Sequence, residues 1–71
     1  MSKIKKAELV PVDIERVKID DYIVFSTYGS DYVNEGKVIK IDSEDITYKE
    51  TDTLDELTRA KETIKKIMRY E

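Results

Sequence analysis

The chain has 71 residues, enough for one small domain and too few for two; a domain of this size buries only ~60% of the surface its unfolded chain exposes. Thirteen Lys and Arg stand against sixteen Asp and Glu, for a net charge of −3, and charged residues make up 41% of the chain. There is no Cys, His or Trp, which excludes disulfides, thiolate or imidazole metal ligands, a Cys nucleophile and a His general base.

Residues 1–8 carry Lys3, Lys5 and Lys6 against Glu8 and read as a basic, flexible arm. No apolar run follows them, so they do not read as a signal peptide, and no stretch approaches the ~20 apolar residues of a membrane span. The expected location is the cytoplasm. Residues 9–71 read as a single domain.

Val10, Val12 and Ile14 alternate at the period of a strand, and Val17 and Ile19 continue the pattern. Pro11 has no N–H to donate, which confines that strand to a sheet edge or a bulge. The run from Tyr22 to Thr27 is β-branched and aromatic on both faces, the pattern of a central strand. Tyr28-Gly29-Ser30-Asp31 reads as a turn, and Asn34-Glu35-Gly36 as a second turn or a bulge. Lys37–Ile41 and Ile46–Glu50, joined by Asp42-Ser43-Glu44-Asp45, read as a β-hairpin, with Ile39 and Ile41 on one face.

After residue 50 the period changes. Thr53-Leu54-Asp55-Glu56 has the spacing of a capping box. Leu57, Ala60, Ile64 and Ile67 follow at steps of three, four and three, with Met68 beside them. Acids at the start and Lys65, Lys66 and Arg69 at the end suit a helix dipole. The expected fold is therefore α+β: a small antiparallel, partly barrel-like sheet of four or five strands over 9–50, then one C-terminal amphipathic helix over 53–70. The helix stripe would cover the open face of the sheet or pair with a second copy in a dimer.

Charge is distributed unevenly. Residues 9–56 hold thirteen acids against Arg16, Lys18, Lys37, Lys40 and Lys49, a net −8 between basic ends. Asp20, Asp21, Asp31, Glu35, Asp42, Glu44, Asp45, Glu50 and Asp52 are the candidate partner-binding residues. Same-face strand residues lie ~6.6 Å apart, so carboxylates can form a regular anionic row. The bland reading of these acids is a set of solvated turns and helix caps. A calcium loop is excluded, because a count from Asp42 puts Ile46 and Thr47 where an oxygen ligand and a glycine are needed. No metal or cofactor is expected, and no catalytic signature is present, so the chain reads as a binding protein rather than an enzyme. Tyr28 and Tyr32, which flank the Gly29 turn, form an alternative loop site; the acids beside them, Asp31 and Glu35, oppose direct nucleic-acid binding.

Two resemblances sharpen these expectations. Val17 to Phe25, then Glu35-Gly36-Lys37-Val38-Ile39-Lys40-Ile41, then Asp45-Ile46-Thr47-Tyr48 resemble the SH3-like barrel modules, including KOW- and Tudor-like domains. In those modules an apolar strand follows a Gly-Asp turn, and a Gly-x-Val-x-x-Ile strand leads into a hairpin; here Asp20 stands in place of the glycine. This resemblance spans about half the chain and implies an adaptor that binds a protein or RNA through its tyrosine-bearing loop. The short, cysteine-free, Lys-, Glu-, Ile- and Tyr-rich composition with an acidic middle also resembles early host-takeover proteins of lytic phages. Some of these mimic DNA and inhibit a basic nucleoid protein such as HU. That resemblance implies the leading expectation, an inhibitor acting in the host cytoplasm on a basic nucleoid-associated protein, with Asp and Glu standing in for phosphates; the SH3-like adaptor is the alternative. A third expectation is a purely structural dimer with no discrete site.

Overall fold

The computed structural model describes residues 8–71. Apart from Glu8, the expected basic arm lies outside the described residues. Six strands form one antiparallel sheet: β1 Leu9–Pro11, β2 Tyr22–Thr27, β3 Val33–Ile41, β4 Asp45–Glu50, β5 Glu56–Ala60 and β6 Ile64–Tyr70. Their order is β1-β6-β2-β3-β4-β5. β2 occupies a central position, as its two apolar faces predict. β1 is an edge strand, where the missing N–H of Pro11 removes no interior ladder bond. Glu8 extends that edge by exchanging two backbone hydrogen bonds with Glu71, at 3.1 and 2.9 Å.

The α+β expectation fails at the C-terminus. Residues 53–70 form no α-helix; they form a loop, β5, a 3-10 turn at Lys61–Thr63, and β6. The helix-like spacing has two local causes. The 3-10 turn separates Leu57 from Ile64, and both pack against the core. Within β6 the register skips Lys65, since Ser26 pairs with Lys66 and Thr27 with Ile64. One extra residue reverses the side-chain alternation, so Ile64 and Ile67, three apart, share the inner face. The stripe is thus divided: Leu57, Ile64 and Ile67 join the core, while Ala60 pairs opposite Asp45 and Met68 opposite Val24. The capping-box residues build a turn instead. The Thr53 hydroxyl donates to the Glu50 carboxylate at 2.8 Å and accepts from the Asp55 N–H at 3.2 Å.

A second bulge lies in β3. Val38 pairs with Tyr48 and Lys40 with Thr47, leaving Ile39 as the extra residue. Val38 and Ile41 therefore both turn toward the core, and Ile39 does not share a face with Ile41 in the way simple alternation implied. The Asn34-Glu35-Gly36 segment is strand interior rather than a turn. Gly36 is required there by contact. A Cβ at that position would collide with the Lys49 carbonyl and lie 2.8 Å from the Tyr48 ring.

The core is Val17, Ile23, Phe25, Val38, Ile46, Tyr48 and Ile67. Phe25 and Tyr48 meet edge to face, with ring centroids 5.1 Å apart. Asn34 is the one buried polar residue among those described. It donates to the Phe25 carbonyl and accepts from the Tyr48 hydroxyl, each at 3.4 Å, so the polar pair inside the core is mutually satisfied. Burial pushes the Tyr48 hydroxyl pKa above its ordinary value, against a lowering by nearby Arg59.

Candidate functional site

β2 and β3 are joined by Tyr28 to Tyr32. Gly29 adopts φ +82°, the left-handed conformation that a glycine reaches without penalty. The Ser30 N–H donates to the Thr27 carbonyl at 3.4 Å, and the Ser30 hydroxyl accepts from the Tyr32 N–H at 3.1 Å. The Tyr28 N–H donates to the Thr63 carbonyl at 2.9 Å, which ties the loop to the 3-10 turn. The backbone is anchored while the rings are not covered. Tyr28 is 65% exposed, Tyr32 62% and the adjoining Val33 59%.

Val33 continues this surface onto the outer face of the sheet. Val24, Ser26, Val33, Lys66 and Met68 line a shallow depression of about 140 Å³. Farther along the same face, Tyr22 and Tyr70 meet edge to face at 5.9 Å. The Tyr22 hydroxyl hydrogen-bonds the Thr51 hydroxyl at 2.6 Å, so that ring is held by its tip and open on its side. Single exposed apolar residues are ordinary on a protein surface; here Tyr28, Tyr32 and Val33 are exposed within one short stretch and Val33 also lines the depression, which makes this the candidate site. Sequence reading identified Tyr28 and Tyr32 but missed Val24, Val33 and Lys66. The signal for Val24 was present in β2, whose residues are apolar on both faces.

The nine acidic candidates do not converge. Asp20 and Asp21 lie at the turn before β2. Asp20 pairs with Lys37 at 3.7 Å. Asp21 accepts from the Lys18 N–H at 2.8 Å and from Arg69 at 3.1 Å, so it ties the turn before β2 to the end of β6. Arg69 is held further by Glu71 at 2.9 Å and by the Arg16 carbonyl at 3.2 Å. The Glu71 and Asp21 bonds raise its already high pKa. Asp42 and Glu44 occupy the β3–β4 turn and Asp45 opens β4, with Lys40 3.9 Å from Asp42. Glu50 and Asp52 lie at the opposite end of β4, ~17 Å away at ~3.4 Å per residue. Glu35 joins that second group, since its carbonyl accepts from the Thr51 N–H at 3.0 Å. Asp31 is alone in the tyrosine loop.

Among the described residues no three Asp or Glu side chains are grouped to hold a metal ion. Nor is any helix there long and apolar enough to cross a membrane. The chain matches no family model, no curated protein and no solved structure.

Proposed function

We propose that this chain is a small non-enzymatic adaptor of SH3-like type that binds a protein through its tyrosine-bearing loop and the outer-face surface beside it. The observation that carries this reading is the uncovered run of Tyr28, Tyr32 and Val33 on an anchored backbone. Ordering the loop before binding lowers the entropy lost on association. Two backbone features support the SH3-like part. Asp20, which stands where those modules carry glycine, adopts φ +80°, a conformation glycine favours. Gly36, the glycine of the Gly-x-Val-x-x-Ile strand, packs so tightly on Tyr48 and Lys49 that no side chain fits.

The acidic middle supports a second reading, a DNA-mimic inhibitor of a nucleoid-type protein. Glu35, Glu50, Asp52, Asp55 and Glu56 lie at or beside the β4–β5 loop. On this reading carboxylates compete with phosphates for the same Lys and Arg, and affinity falls steeply with salt. The ion pairs of Asp20, Asp21 and Asp42, and the length of β4 between the acidic groups, make it the weaker of the two.

A tagged chain retained on beads in bacterial lysate, washed with rising salt, separates them. The adaptor reading expects a partner that survives high salt and is lost with the triple variant Tyr28→Ser, Tyr32→Ser, Val33→Ser. A partner unaffected by that variant, yet released by moderate salt, added DNA or the triple Glu50→Lys, Asp52→Lys, Asp55→Lys, sinks the adaptor reading in favour of the mimic.

A further inference from the structure

The geometry points to a particular chemistry for the occupant of the outer-face depression: a short segment of a partner protein that presents an apolar side chain next to a carboxylate. This inference rests on the protein-binding reading above and names the partner's chemistry. The floor of the depression is apolar, from Val24, Val33 and Met68. Lys66 is the one charged residue in its lining, and no acid lines it. Lys66 is exposed and forms no salt bridge among the described residues, where the other ion pairs engage Lys37, Lys40 and Arg69.

The bulge explains why a lysine stands there. Skipping Lys65 in the register lets Ile64 and Ile67 both face the core, and it sets Lys66 on the outer face opposite Ser26. A free ammonium beside an apolar hollow favours an anionic neighbour. A carboxylate brought to it gains a charge-assisted hydrogen bond in surroundings partly dried by the occupant's apolar side chain. A basic segment is repelled at the same point, so the site selects by sign as well as by shape.

The test is a selection of random linear displayed peptides on the folded protein, followed by affinity measurements on synthetic copies of the enriched peptides. Lys66→Glu and Lys66→Arg are suitable variants, because residue 66 is exposed and circular dichroism can verify the fold. The expected outcome is enrichment of peptides with Asp or Glu beside a large apolar residue. Their affinity should fall about tenfold with Lys66→Glu and be kept by Lys66→Arg. Enriched peptides without acids, or acidic peptides indifferent to Lys66→Glu, overturn the inference. If binding is instead lost with Tyr28→Ser and Tyr32→Ser alone, the adaptor reading stands and the inference about Lys66 falls. No enrichment at all also overturns it.

Discussion

The two faces of the central strands carry similar residues and meet different fates. On the inner face Ile23, Phe25, Val38, Ile46 and Tyr48 are at most 2% exposed. On the outer face of the same sheet Tyr22 and Tyr70 are 36% and 37% exposed and Val33 is 59% exposed. Hydrophobicity alone does not distinguish these sets. What distinguishes them is that Val12, Ile14, Ile41, Leu57 and Ile64 pack around one face, while among the described residues no element covers the other. The inner face should therefore dominate stability, and the outer face should be dispensable for folding.

The largest effects belong to the inner face. A chain of this size has about 4–10 kcal/mol of stability to lose. Phe25→Ala removes a fully buried ring and its edge contact with Tyr48, for about 3–5 kcal/mol. Gly36→Ala pushes a methyl group into the Lys49 backbone and the Tyr48 ring, which requires β3 and β4 to separate. Both variants should be largely unfolded or show a strongly lowered midpoint in urea, measured by far-ultraviolet circular dichroism. A native-like midpoint for Gly36→Ala would break the claim that β3 and β4 are locked together at that point.

A subtler inner-face effect appears with pH. Burial raises the Tyr48 pKa above 10.0. Below that value the hydroxyl is neutral in folded and unfolded chains alike. Above it the unfolded chain releases its proton while the folded chain keeps it, so stability falls as pH rises through the window up to the folded value. Melting temperatures from about pH 9 to about pH 11 should show this fall, and Tyr48→Phe should flatten it. That variant should also start about 1–2 kcal/mol lower, because Asn34 loses its hydroxyl donor inside the core. An unchanged alkaline slope would mean that the fall comes from other groups.

How far these faces were legible in the sequence depended on whether the strands kept register. β2 and the β3–β4 hairpin alternate plainly enough that Ile23, Phe25, Ile46 and Tyr48 could be assigned to a sheet. Between residues 53 and 70 the alternation is broken twice, by the 3-10 turn and by the skipped Lys65, and the result imitates a helical period. Thr53, Asp55 and Glu56 reinforced the error, because the residues that cap helices also build turns. Asn34 and Gly36 read as turn formers for the same kind of reason. Their actual role, making room and a polar partner for Tyr48, is a relation between two strands that no local window contains. The acidic candidates were visible one by one. Their separation along β4 and the pairing of Asp21 with Arg69, 48 residues away, depend on topology.

The turn that leads into β2 gives a smaller effect of opposite sign. Asp20 holds φ +80°, where a side chain is disfavoured by about 1–2 kcal/mol. Asp20→Gly relieves that conformation, gives back part of the gain through the freer unfolded chain, and loses an exposed ion pair worth a few tenths. The net expectation is stabilisation by about 0.5–1 kcal/mol, seen as a rise of a few degrees in melting temperature. Destabilisation would show that Asp20 contributes more through Lys37 than its backbone costs.

The smallest effect on stability is the one that tests the proposed binding surface. Val33→Ser changes a side chain that is 59% exposed, at the start of β3 and opposite Ser26. Its share of the core is negligible, so the change in stability should stay within about 0.5 kcal/mol. The same residue joins the tyrosine loop to the depression, so partner capture should weaken although the fold does not. A loss of binding without a loss of stability separates a docking surface from a merely uncovered one. If Val33→Ser instead lowered the urea midpoint as much as an inner-face truncation, the outer face would be part of what holds the sheet together. Its exposure would then carry no functional meaning. If neither stability nor capture changed, the surface beside the loop would drop out of the site, leaving Tyr28 and Tyr32 to act alone.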